Sequence, residues 1–163
     1  MCAAQTSATF EQWHDRGLKR NPSGVSLHIE TRDNRAIYHT SETINLLMVF
    51  TSERENLYSA VATDPGSGDD VVLQRVGEEA HRLIFDHGIV CCSSSAPKDL
   101  GRKPVEVPSY FYFRLPEGQY SLFVETKRVL QGHPEGAYGK GPTVTSDILH
   151  LTVLPEEKPA VRH

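Results

Sequence analysis

The side chains best suited to chemistry are the adjacent cysteines Cys91 and Cys92 and the two histidines ahead of them, His81 and His87. Thiolates and imidazoles together are ligands for a soft or borderline ion such as copper or zinc, so these four residues define a candidate metal or redox site. Their spacing matches no zinc motif. A blue-copper set fails because no cysteine is followed closely by His and Met; the methionines are Met1 and Met48. Adjacent cysteines can close a strained, labile disulfide ring. The plainer reading is ordinary thiols, or one of them paired with Cys2, because neighbours in a strand point to opposite faces. The plainer reading of the eight histidines, His81 and His87 included, is that they are solvated. No cofactor is specified by these residues.

Enzyme motifs are missing. There is neither a Gly-x-Ser-x-Gly elbow nor a His-Glu-x-x-His pair. The run Gly136–Gly141 is no phosphate loop, since Pro134 stands where its first Gly belongs and Gly141 replaces the Ser or Thr. The expectation is therefore a non-enzymatic chain, with the metal or redox protein as the alternative. Binding is better served by residues 131–145, a segment rich in Gly, His, Pro and Tyr. Tyr138, flanked by glycines, is an adaptable contact residue, with His133 and Lys140 beside it. The polar segment 93–107 offers a second contact surface, for a protein or a glycan.

The elements that must position these residues are mainly strands. Thr9-Phe10-Glu11-Gln12 has the form of a capping box, predicting a helix over 9–16 that Gly17 stops and that docks through Phe10 and Trp13. From Val25 the period changes to two: Val25, Leu27, Ile29 and Thr31 share one face. Residues 43–52 are apolar on both faces, as in a central strand. Strands follow over 57–63, 71–76 and 82–85, the last two joined by a hairpin at Gly77, and a short one over 89–92. Tyr110–Leu115, Tyr120–Glu125 and Ile148–Leu154 complete the set, while 93–107 and 131–145 are predicted loops. The result is an all-β chain, an immunoglobulin-like β-sandwich of 7–9 antiparallel strands with a short N-terminal helix. It divides into a tail at 1–23, the sandwich at 24–155 and a tail at 156–163.

The stretch from Leu115 to Val124, with Gly118, Tyr120, Leu122 and Val124 at alternate positions, resembles the strand-F entrance of immunoglobulin-like and fibronectin-like domains. That resemblance implies a tyrosine corner at Tyr120, its hydroxyl bonded to upstream backbone. Residues 26–50, with Tyr38, Glu42, Ile44 and Leu46, are similar to the opening strands of bacterial macroglobulin-type and intracellular-proteinase-inhibitor-like domains. Antibody-type membership is excluded, because Cys91 and Cys92 are adjacent and cannot bridge two sheets.

Composition sets the remaining expectations. A net charge of −4 lacks the basic stripe of a nucleic-acid binder, and no apolar run is long enough to span a bilayer. Met1-Cys2-Ala3-Ala4 resembles the remnant of a bacterial export signal, with Cys2 either a lipid acceptor or part of a cleavage stretch; a native cytosolic start is the alternative. The export reading implies a periplasmic, outer-membrane-anchored or secreted chain. Its partner would be a protein or glycan, or a second copy paired through edge strands.

Overall fold

In a computed structural model of the chain, residues 8–61, 69–83, 97–131 and 141–158 are described. They form one helix and twelve strands in three sheets, an all-β architecture. Long period-two segments supply the framework. β1 (Val25–Thr31), β3 (Ile44–Ser52) and β8 (Val105–Phe113) make one antiparallel sheet in the order β1-β3-β8. A larger sheet runs β2 (Ile37–His39), β12 (Leu149–Leu154), β9 (Gly118–Thr126), β5 (Asp70–Arg75) and β6 (His81–Leu83), with β11 (Val144–Thr145) also on β9. A small third sheet has the order β10 (Val129–Gln131), β4 (Tyr58–Ala60), β7 (Lys98–Asp99).

The alternation read from the residues is the alternation of burial. In β1, Val25, Leu27, Ile29 and Thr31 are buried while Ser26 and His28 face water. In β3, Ile44, Leu46, Met48 and Phe50 are fully enclosed, and Leu47 and Val49 on the other face are half-buried. These residues meet Leu122 and Val124 of β9, Val71 and Leu73 of β5, and Leu151 and Val153 of β12 in one apolar core. Each such side chain contributes about 1.5–3 kcal/mol on burial. Tyr120 lies in the same core, and its hydroxyl donates to the Pro116 carbonyl at 2.6 Å, the upstream-backbone bond expected of it. The β5–β6 hairpin is present, turning at Gly77 with φ +87.

Four expectations are corrected. The strands number twelve among the described residues, and one pair is parallel, β2 on β12. That pairing arises because the chain leaves β1 to run along the edge of the large sheet, burying Tyr38, before it returns as β3. The helix α1 spans Phe10–Lys19 and passes through Gly17. Gly17 packs on β11, where a Cβ would stand 2.4 Å from Thr145 Oγ1, so this glycine marks a close approach and not a stop. Within 93–107 the described part holds β7, the fully buried Leu100 and the start of β8. Within 131–145, Val144 and Thr145 are buried and paired with Thr126 and Glu125. Apolar residues recur too briefly in both segments for a period to show.

The capping box is complete: Thr9 Oγ1 accepts from Gln12 N and Gln12 Oε1 from Thr9 N, each at 3.1 Å. The helix lies on the outer face of β9, where Phe123 meets Phe10, Trp13 and His14 at ring separations of 5.2, 6.5 and 4.9 Å. No described helix is long and apolar enough to cross a membrane.

Candidate functional site

The small third sheet gathers the segments that the sequence marks as contact surfaces. β4 is its middle strand, with Ser59 opposite Asp99 on one side and Gln131 opposite Tyr58 on the other. Residues 93–107 and 131–145 thus depart from strands that flank a single strand, roughly 10 Å apart. At this end the β3–β4 turn and the β7–β8 connection are tied together through their backbones. Ser52 N donates to Gly101 O at 2.8 Å, Asn56 N to Leu100 O at 3.1 Å, and Leu100 N to Tyr58 O at 2.8 Å. Asn56 takes the left-handed conformation, φ 60, which suits asparagine better than most residues. Glu55 Oε1 accepts from Arg102 N at 3.1 Å and lies directly over Gly101. A Cβ on Gly101 would fall 2.0 Å from Glu55 Oε2, so a side chain there would displace the Glu55 carboxylate.

The tied segments border an open cleft of about 570 Å³ lined by Glu55, Lys98, Asp99, Lys103, Pro104 and Glu106. Its rim mixes two cations with three carboxylates, and its backbone is already hydrogen-bonded. The described lining contains no aromatic ring. Such a surface offers exposed charges of both signs on a hydrogen-bonded backbone frame, which suits polar recognition.

The predicted site residues are only partly placed. His133, Tyr138 and Lys140, and likewise His87, Cys91 and Cys92, lie outside the described residues, as does the 89–92 segment. His81 begins β6 and is exposed, opposite Leu73. Among the described residues no group of three His, Cys, Asp or Glu side chains is placed to hold a metal ion. One hydroxyl–imidazole contact occurs on the surface, Ser121 Oγ with His150 Nδ1 at 3.0 Å, and it joins residues directly opposite each other on β9 and β12.

Other polar groups escaped the sequence altogether. At the corner where β9 leaves the large sheet and β10 enters the small one, Arg128 is fully buried. Its Nε donates to both Asp69 oxygens, at 3.0 and 2.7 Å, and its Nη1 to the Val61 carbonyl at 3.1 Å. Thr126 Oγ1 donates to the same carboxylate at 2.5 Å. This network joins the end of β4, the start of β5 and the β9–β10 corner. On the helix side, Trp13 Nε1 donates to the buried Glu125 at 3.1 Å, and the Arg82 guanidinium sits 4.8 Å from the indole centre. Partners 59 and 112 residues apart leave no local signal.

A third group guards the open edge of β1. Asp147 N donates to Leu27 O at 3.1 Å, Asp147 Oδ1 accepts from Ile29 N at 2.9 Å, and Oδ2 meets His28 Nδ1 at 2.5 Å. The Asp147 hydrogen bond, aided by the charges of Asp147 and Glu30 against partial burial, raises the His28 pKa above 6.5. A raised folded-state pKa stabilises the fold fully below the unfolded value, and that contribution fades as pH climbs through the folded value. His28→Gln is therefore expected to narrow the difference in melting temperature between acidic and mildly alkaline buffer. Parallel pH–melting curves for the two proteins would refute the assignment. On the far side of the core, burial and then the Asp33 hydrogen bond push the Tyr38 hydroxyl up to about 12, so it remains a donor to Asp33.

No protein-family model and no curated protein matches the chain. Among solved structures it is similar to Spo0M, a sporulation control protein of Bacillus subtilis, with a TM-score of 0.41 and 11% identity. The alignment covers 85% of this chain and 51% of that one, so the chain spans about half of that protein's length. A superposition of that quality fixes neither a fold family nor an activity.

Proposed function

We propose that the chain is a non-enzymatic binding domain of the immunoglobulin-like sandwich type, and that its partner is a protein docking at the third-sheet end. The sandwich reading draws on the shared core between the two larger sheets and on the Tyr120–Pro116 bond. The binding reading rests on one observation: both segments marked by composition leave strands flanking β4, beside a preorganised cleft with charged groups of both signs. A protein suits this cleft better than a glycan. Its described lining carries charges of both signs, which find complements on another protein, and lacks the aromatic platforms that stack on sugar rings. Homotypic assembly is the special case in which the partner is a second copy.

Site-specific photo-crosslinking tests the proposal. A crosslinker at Lys103, on the cleft, is expected to capture one discrete protein in the cell of origin. The same crosslinker at Val76, exposed at the opposite end of β9, is expected to leave that protein uncaptured. Equal capture from both positions, or none from Lys103, would remove the reading.

A further inference from the structure

Trp13 is the only tryptophan of the chain, and its two flanks differ electrically. On one flank Arg82 stacks on the indole and is neutralised by Asp70 at 2.7 Å and Glu125 at 3.2 Å. On the other, a groove of about 580 Å³ is lined by Ala8, Trp13, Arg16, Lys19 and Arg20. The three cations are exposed, and among the described residues none of their side chains forms an ion pair. Trp13, Arg16 and Arg20 follow i, i+3, i+7 spacing, so they form one stripe about 10 Å long. Lys19 lies next to Arg16 on the adjoining side. A chain with a net charge of −4 thus places three cations, without an ion pair among the described residues, beside an indole already held at both its N–H and its face.

We propose that this groove receives an acidic peptide segment of a partner protein. Its carboxylates would lie on Arg16, Lys19 and Arg20, with one apolar side chain against Trp13. Charge complementarity sets the sign of the occupant. The length of the stripe suits a narrow extended segment, which covers it with about three or four residues. Trp13 loses little freedom on binding because Glu125 and Arg82 already fix its rotamer. The surface is separate from the cleft at the third sheet, so either site can fail without the other. The competing role for the three cations is to complement the negative end of the helix dipole, which predicts no ligand at all.

Trp13 emission reports the groove directly. Titration of the full chain with a short capped peptide of glutamates around one leucine is expected to give a saturable change in emission, weakening as salt rises. Reversal of the exposed charges in Arg16→Glu/Lys19→Glu/Arg20→Glu is expected to weaken binding by roughly tenfold or more. A far-UV spectrum matching the parent confirms that the variant is folded. No saturable change with the peptide, or equal affinity in the folded triple variant, would overturn the proposal. So would saturation by phosphatidylserine vesicles without a response to the peptide, which would reassign the groove to a lipid surface.

Discussion

Asp69→Ala is expected to cost about 3–5 kcal/mol of folding free energy, because it removes the carboxylate that accepts twice from a buried guanidinium. Arg128 and Asp69 expose only 1% and 2% of their side chains, so water cannot replace the missing carboxylate. Thr126 loses its acceptor in the same step. The penalty comes from removing one member of a buried charge pair, not from the net worth of the pair. Asp69→Leu combined with Arg128→Met, apolar groups of similar bulk, is therefore expected to recover most of the loss. Urea unfolding of the parent, single and double variants measures both effects. A single-variant loss below about 1 kcal/mol would mean that water or a rearranged partner reaches the corner. The pair stands where the chain passes from the large sheet to the small one, and Val61 N also donates to Arg128 O at 3.0 Å. Loss of the carboxylate should thus loosen the small sheet first, visible as faster amide exchange at Tyr58–Ala60 than in β3.

The second large effect is at Phe123. Phe123→Ala removes the ring that Phe10, Trp13 and His14 all contact, and a phenylalanine deleted from a closed core costs about 3–5 kcal/mol. Here the cost has a ceiling. The ten-residue α1 is too short to persist alone, so the molecule can release the helix instead of keeping a cavity, and the loss cannot exceed the docking energy of α1. The expected result is a red-shifted Trp13 emission and a drop in helical signal, with the strand framework retained. His14 opposes release through its 2.7 Å bond to the Ser146 carbonyl, and Asn21 through paired bonds with Thr145 at 2.7 and 2.9 Å. An unchanged emission maximum with a full stability loss would show that the polar bonds, not Phe123, hold the helix.

Much of the framework was legible because burial imposes a local period. β1, β3, β9 and β12 each carry enough alternating apolar residues to reveal their inner face. The Thr9–Gln12 box and the turn at Gly77 are local chemistry within a few residues. The strands that escaped are two or three residues long: β2, β7, β10 and β11. Two residues cannot display a period, and Pro, Gly and charged neighbours made their surroundings resemble loops. Gly17 misled for a related reason, since glycine in a helix signals an end or a close neighbour, and only Thr145 distinguishes the two. His14 broke the expectation of solvated histidines because its partner, Ser146, lies 132 residues away.

For the candidate site, composition alone marked 93–107 and 131–145 as contact surfaces, while only strand order placed their described ends on either side of β4. The sequence by itself determined which side of β1, β3, β9 and β12 faces a core and where the helix begins, and a resemblance implied the bond from Tyr120 to upstream backbone. Tertiary structure alone decided which strands are neighbours, which carboxylate meets Arg128, and that Trp13 has a neutralised cation on one flank and, among the described residues, three cations without an ion pair on the other. The physical reason is that alternation and capping are satisfied within one turn or one strand. Pairing across dozens of residues is chosen by how whole faces pack and by which buried polar groups find partners.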